Sequence, residues 1–178
     1  MHAEAGGFVV QSRPMTRSAL IDEELAAFLR GPVSISVASR AAGNEPVLVR
    51  CSGCGVSADR RRVTLFLARS KSQPVIEAIG ATRAVAAVFS LPSSHRSVQL
   101  KGTDAGIGAP TAGDADAVAR YAEAFAREIE PLGYSGAMAR ALLWVDPGDL
   151  VTLSFTPTAA FMQTPGPGAG APLRATPP

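Results

Sequence analysis

Basic and hydroxyl side chains gather between residues 50 and 101, where they could hold an anionic ligand. The set consists of Arg50, Arg69, Ser70, Lys71, Ser72, Arg96, Ser97 and Lys101. Lys71 and Lys101 are the only lysines of the chain. Ser70, Lys71 and Ser72 precede a short helical segment at 75–79, where hydroxyls, an ammonium group and free backbone N–H groups can converge on a phosphate. Residue types alone leave a second interpretation open, an ordinary polar loop at the end of a strand.

The two cysteines, Cys51 and Cys54, have the CxxC spacing that occurs in redox and zinc sites. A redox CxxC is expected at a helix N-terminus, whose dipole lowers the thiol pKa, whereas this pair ends a predicted strand. Structural zinc usually has four protein ligands, and besides scattered carboxylates only His2 and His95 remain. We therefore expect two ordinary cysteines and no metal site, with a disulfide or a bound metal as the alternatives. We interpret His95 as a turn residue, with a ligand contact as the alternative.

Composition and charge restrict the possible partners. Hydrophobic residues make up 47% of the 178 residues and charged residues 18%, which is typical of a folded protein with one domain-sized core. The net charge of +2 is too small to indicate a nucleic-acid partner, and the basic run at 60–62 is interpreted as a solvated hairpin turn. No segment approaches the roughly 20 apolar residues that span a bilayer, and the N-terminus lacks the layout of a signal peptide. We expect a cytoplasmic protein with neither a nucleic-acid nor a membrane partner.

Alternating and continuous apolar patterns predict about six or seven strands separated by turns. The clearest lie at 33–39, 46–51, 63–69, 84–91, 96–102 and 150–156. Because helices do not alternate regularly with these strands, the pattern favours an antiparallel barrel or sandwich flanked by helices, which is a mainly β architecture of the α+β class.

Helical periodicity predicts the flanking helices. Ser18 is a candidate N-cap for a helix that continues to about Arg30, and a longer helix begins near Asp114. A further helix at 135–145 is expected to contribute Met138, Leu142 and Trp144 to the core. The predicted organisation is an N-terminal arm at 1–17, one domain at 18–162, and a flexible Pro/Gly-rich tail at 163–178.

The order of these elements, followed by Arg-Ser-Val-Gln-Leu-Lys-Gly at 96–102, resembles the flavin-binding split-barrel proteins of the pyridoxamine 5'-phosphate oxidase type. The resemblance covers roughly residues 21–110 and implies an antiparallel split β-barrel of the FMN-binding type, a homodimer with FMN at its interface. By this resemblance Arg50 would contact the phosphate, and Leu67 and Ala68 would lie near the flavin ring. Ser70 and Lys71 would form the phosphate loop, and Ser97 would replace a glutamine of the family.

The resemblance implies an FMN-dependent oxidoreductase that acts on a small-molecule redox substrate. Pyridoxamine phosphate oxidases end in a substrate-gripping segment like Arg-Pro-Arg, whereas this chain ends in its Pro-rich tail, so vitamin B6 oxidation is not expected. The alternative is a non-catalytic protein of the same fold that holds flavin or haem for storage, sensing or stress response. A redox or zinc protein that uses Cys51 and Cys54 is a third possibility.

Overall fold

Two antiparallel sheets, flanked by four helices, make up the described part of the protein. The computed structural model describes residues 20–173. The helices are α1 (Glu23–Leu29), α2 (Gln73–Thr82), α3 (Asp114–Ile129) and α4 (Gly136–Leu143). The strands are β1 (Ser34–Arg40), β2 (Pro46–Arg50), β3 (Cys54–Val56), β4 (Val63–Ala68), β5 (Val85–Ser90), β6 (Ser97–Gly102), β7 (Gly106–Gly108), β8 (Leu150–Phe155) and β9 (Ala159–Met162). One sheet has the order β2-β1-β5-β6-β9 and the other β3-β4-β8-β7, which confirms the predicted α+β fold class.

The five-stranded sheet is built from strands that alternate between a buried and a more exposed face. In β1, Ile35 and Val37 are fully buried, and the serines between and before them face away from the core. The register places Ser34 of β1 opposite Ser90 of β5, and Ser90 opposite Ser97 of β6. Three serines therefore form a row across one end of this sheet.

The chain passes from one sheet to the other between Arg50 and Cys54. The N–H of Cys51 donates to Ile35 O at 2.9 Å in the first sheet, whereas the N–H of Ser52 donates to Phe66 O at 2.8 Å in the second. Gly53 follows with a φ of +141°, and a Cβ there would lie 3.0 Å from the Phe66 ring. Both the backbone conformation and the close ring favour glycine at this crossing.

Two helix boundaries differ from the sequence-based expectation. The predicted cap Ser18 lies outside the described residues, and α1 instead begins after Asp22, whose side chain accepts a bond from the N–H of Leu25 at 2.8 Å. Helix α2 extends past Gly80 and ends at Arg83, which has a left-handed φ of 55°. Packing of α2 against β1 and β2 stabilises this longer helix, so Gly80 does not end it.

The expectation that Met138, Leu142 and Trp144 are buried is wrong. Their exposed fractions are 72%, 55% and 62%, and α4 instead buries Ala139 and Leu143. Ala139 and Leu143 form a second apolar stripe, and this stripe faces the core. The helical period was therefore predicted correctly, but the buried face was not.

The chain remains hydrogen-bonded beyond the predicted domain boundary at residue 162. The N–H of Met162 donates to Ala171 O at 2.9 Å, and the N–H of Leu173 donates to Ala160 O at 2.8 Å. Pairing with β9 supplies backbone partners that the Pro/Gly-rich composition alone does not predict. The arm at 1–17 and the last five residues of the predicted tail lie outside the described residues, and the flexibility of the tail stays a prediction.

Candidate functional site

A cavity of about 540 Å³ lies at the end of the five-stranded sheet, between the serine row and helices α3 and α4. Its polar lining consists mainly of Ser34, Arg50, Ser90, His95, Ser97 and Gln163. Its apolar lining includes Phe125, Ile129, Tyr134, Met138, Ala139 and Leu142. This combination is typical of ligand sites, which are mostly apolar and contain a few polar groups that orient the ligand.

Arg50 is the cationic side chain of this lining. The last residue of β2, it is exposed and pairs with Ser36 of β1. Its Nη1 donates to the Oγ of Ser34 at 3.1 Å, which fixes the side chain beside the serine row. A guanidinium has five N–H donors, so this one bond leaves capacity to bind an anion.

The serine row continues the polar surface from Arg50. The Oγ of Ser97 lies 2.7 Å from the Oγ of Ser90, to which it donates, and 3.0 Å from the backbone oxygen of His95. Ser97 is buried, and its backbone N–H donates to the Oγ1 of Thr164 at 2.9 Å. Because the Ser97 hydroxyl has a single hydrogen and the His95 carbonyl can only accept, the two hydroxyls and this carbonyl form one shared network that positions Ser97.

The apolar side of the cavity explains why large side chains of α4 remain exposed. Tyr134, which lies just before α4, and Met138 and Leu142 on α4 line the cavity and are exposed. We call these three residues the α4 wall. Sequence reasoning missed their role. The signal was present, because α4 has two apolar faces, one with Met138 and Leu142 and the other with Ala139 and Leu143. A ligand ring that covered the wall would remove apolar surface from water.

The predicted phosphate loop lies elsewhere and already holds an anion from the protein itself. The backbone N–H of Ser70 donates to Oδ1 of Asp149 at 2.9 Å, and the Ser70 hydroxyl donates to Oδ2 at 2.6 Å. These two bonds, with the charges of Arg69 and Lys71, hold the pKa of the Asp149 carboxyl below its usual value. Asp149 is a binding partner of this loop that the sequence pattern did not indicate.

Leu67 and Ala68 lie at the end of β4, opposite Val151 and Leu150 of β8. Both are buried, and the Leu67 side chain is packed entirely within the core. The structure therefore divides the predicted cofactor-binding residues into two groups. Arg50 and Ser97 line the cavity, whereas Leu67, Ala68, Ser70 and Lys71 lie on β4 and the loop after it, and their contact with FMN stays a prediction.

Ser72 has an unusual environment at the start of α2. Within residues 20–173, its Oγ is the one buried side-chain polar atom that lacks a hydrogen-bond partner. Ser72 is the N-cap residue of α2, but its side chain accepts no bond from the first turn of the helix. Buried hydroxyls normally have a partner, so this atom marks a place where a further polar group would be stabilised.

The cysteines are free thiols in a buried setting. Cys51 is fully buried and Cys54 partly buried. Burial raises the pKa of the Cys51 thiol far above its usual value and that of Cys54 to about 12. A thiol with a raised pKa is a poor nucleophile at neutral pH, so this setting does not favour redox chemistry. Among residues 20–173 no group of three or more His, Cys, Asp and Glu side chains could hold a metal ion.

Within the same described residues, no helix combines the length and the hydropathy needed to cross a lipid bilayer.

The sequence matches no protein-family model and no curated protein. Solved structures, in contrast, share its fold. HupZ from Group A Streptococcus is 14% identical with a TM-score of 0.51, and the match covers 84% of this chain and 99% of that protein. An F420 reductase is 16% identical with a TM-score of 0.46, covering 75% and 93% of the two chains. A pyridoxamine 5'-phosphate oxidase-related, FMN binding protein from Nostoc punctiforme is 11% identical with a TM-score of 0.44, covering 77% of each.

At its low identity the HupZ match shows a shared fold and leaves the activity open. The two antiparallel sheets and their flanking helices agree with the α+β fold class predicted from the sequence. The chain shares the fold of HupZ, and in this protein that fold consists of two antiparallel sheets flanked by helices.

Proposed function

We propose that this protein binds FMN in the cavity at the end of the five-stranded sheet, with the phosphate at Arg50 and the flavin ring against the α4 wall. One observation carries the proposal: a fixed arginine and three exposed apolar side chains line the same cavity. FMN has the matching chemistry, an anionic phosphate joined to a large, mostly apolar ring.

The size and polarity of the cavity support this proposal. Its volume of about 540 Å³ falls within the roughly 300–1,000 Å³ of typical ligand pockets. A guanidinium binds phosphate through two parallel, charge-assisted hydrogen bonds. Ser90 adds a hydroxyl group from the serine row to the polar lining of the cavity. The residues of the cavity therefore fit an anionic flavin.

We further propose that the protein is an oxidoreductase of a small-molecule substrate. Flavin supplies the electron and hydride transfer when it is bound, so the protein needs only to bind and orient it and to shield it from water. Arg50 would anchor the phosphate, and the α4 wall would exclude water from one side of the ring. The opposite side of the flavin ring would remain open to the substrate.

The proposed assembly is a homodimer. Strand β2 forms one edge of the five-stranded sheet, and its Leu48 is 69% exposed. An exposed apolar residue on an edge strand is a common feature of surfaces that pair with another chain.

The FMN proposal is tested by titration of the wild type and of Arg50→Ala with FMN. Loss of the charge-assisted bonds is expected to weaken FMN binding at least about tenfold. Arg40→Ala is the matched control, because Arg40 is an exposed arginine at the far end of the same hairpin and donates to Asn44 Oδ1 at 3.0 Å. Equal FMN affinity of the two variants would contradict the placement of the phosphate.

A second candidate function, haem binding without catalysis, is favoured by the position of His95. This residue lines the same cavity, in a turn where its φ is 58°. A histidine nitrogen is the commonest axial ligand of haem iron in oxygen-binding proteins. Haem titration of the wild type and of His95→Ala tests this candidate. If haem binds through His95, the wild type gives an axial-histidine spectrum and the variant does not.

A further inference from the structure

We propose that Asp149 acts as an internal substitute for phosphate in the loop of residues 70–72 and excludes phosphate-bearing ligands from it. This inference builds on the proposed function, since it assigns the FMN phosphate to Arg50 alone. It makes Asp149 a residue that determines ligand specificity, although it lies outside the cavity.

The contacts of Asp149 resemble those of a bound oxyanion. One carboxylate oxygen accepts the backbone N–H of Ser70 at 2.9 Å and the other accepts its hydroxyl at 2.6 Å. Both donors that the loop offers through Ser70 are therefore used. A phosphate oxygen in the same place would have to displace the carboxylate.

The backbone fixes Asp149 in this position. Its carbonyl oxygen accepts the N–H of Arg69 at 2.8 Å, which extends the β4–β8 ladder by one step. Its own N–H donates to the carbonyl oxygen of Asp146 at 2.9 Å, within the turn that precedes β8. The backbone is therefore anchored on both sides of Asp149, which keeps its side chain next to Ser70.

The positive charges around the loop attract anions and stabilise the Asp149 carboxylate that lies there. Arg69 and Lys71 lie close enough to Asp149 to stabilise its negative charge. A phosphate brought to the same loop would share these two cations with a carboxylate of like charge. Repulsion between the two anions therefore disfavours phosphate as long as Asp149 is ionised.

Helix α2 supplies the other half of a phosphate site. It has ten residues and begins at Gln73, directly after the loop. The Ser72 Oγ at its start is buried and has no hydrogen-bond partner. A helix N-terminus and two cations attract anions, and removal of the Asp149 charge would leave them and the two Ser70 donors available to an external phosphate.

The experiment measures the binding of inorganic phosphate to chains that carry Arg50→Ala, so that the cavity arginine does not contribute. Three chains are compared by calorimetric titration: the Arg50→Ala parent, the same chain with Asp149→Asn, and the same chain with Asp146→Asn. Asp146→Asn is the matched control, because it removes an equal charge three residues away, and Asp146 accepts the N–H of Gly148 at 2.7 Å instead of a bond from Ser70. Asp149→Ser serves as a second variant if the asparagine chain does not fold.

We expect the Asp149 variant to bind phosphate at least about tenfold more tightly than the parent and the control. Equal binding by all three chains would overturn the inference. Tight binding by the parent that is lost on Ser70→Ala would overturn it as well, since the loop would then accept phosphate beside Asp149. FMN titration of the chain without Arg50→Ala keeps the two proposals apart: absence of FMN binding contradicts the proposed function, whereas the phosphate comparison alone decides the role of Asp149.

Discussion

Gly53 is the single residue on which the crossing between the two sheets depends most directly. Gly53→Ala would place a Cβ in a backbone conformation that L-residues rarely adopt and within 3.0 Å of the Phe66 ring. We expect the free energy of unfolding to fall by about 1–3 kcal/mol, measured by urea denaturation. Gly43→Ala is the control, because its Cβ would meet nothing within 4 Å and its φ is not positive, and it should change stability by less than about 0.5 kcal/mol. Equal effects of the two substitutions would contradict the packing described for Gly53.

The two cysteines allow a second test at the level of single residues. Their pKa values are raised by burial, so the thiolate forms dominate only at a pH well above that of a free cysteine. We predict that an alkylating reagent at pH 8 leaves both thiols of the native protein largely unmodified and labels both after unfolding. Rapid labelling of either thiol in the native protein would revive the redox alternative for Cys51 and Cys54.

The sequence allowed some site residues to be predicted and concealed others for a physical reason. Arg50 and Ser97 stood out because charged and hydroxyl side chains occur beside apolar strands. Asp149 did not, because its contact with Ser70 joins positions 79 residues apart and exists only once β4 and β8 pair. Ser34 and Ser90 were hidden likewise, since strand register alone makes them neighbours.

Helix α4 has one face that packs in the core and another that lines the cavity, so stability and binding can be tested on different residues of it. Leu143 is fully buried, whereas its neighbour Leu142 lines the cavity and is 55% exposed. Leu143→Ala is expected to lower the free energy of unfolding by about 2–5 kcal/mol, because it leaves a core cavity. Leu142→Ala should change stability by less than about 0.5 kcal/mol and weaken FMN binding by roughly three- to tenfold, since it removes part of the wall.

Thermal or urea denaturation together with FMN titration measures both effects. The account of α4 would be contradicted if Leu142→Ala destabilised the protein as much as Leu143→Ala, because the cavity face of the helix would then belong to the core.

At the level of elements, periodicity predicted that helices exist but not which face each one buries. In α4, two apolar stripes compete, and contact with α3 selects the one that contains Ala139. The Arg140 to Glu123 ion pair, with N and O atoms 2.7 Å apart, joins the same two helices. Such choices depend on the neighbouring element and cannot be read from one segment of sequence.

For the molecule as a whole, strand alternation and turn residues were sufficient to predict an antiparallel, mainly β fold with flanking helices. Local patterns could not assign each strand to one of two sheets, because that depends on long-range pairing. The short strand β7 is an example: it follows β6 closely in the sequence, yet it pairs with β8 in the other sheet. Gly102 marks the boundary, since a Cβ there would lie 2.8 Å from the Phe155 ring.

The proposed homodimer would form through the exposed edge strand β2. We predict that sedimentation at micromolar concentration gives the mass of two chains, and that Leu48→Glu on the edge strand β2 shifts the protein towards the monomer. Leu48 is largely exposed in the single chain, so this substitution should leave the fold itself intact. A wild-type monomer under these conditions would contradict the dimer, and a variant that stays dimeric would exclude the β2 edge as its interface.

The proposed flavin site is tested by the visible absorbance spectrum of the purified protein, recorded before and after incubation with excess FMN and removal of free flavin. We predict flavin absorbance bands that remain with the protein after reconstitution, with about one FMN retained per chain. A protein that is properly folded and yet colourless in both states would contradict the proposal that this cavity is a flavin site.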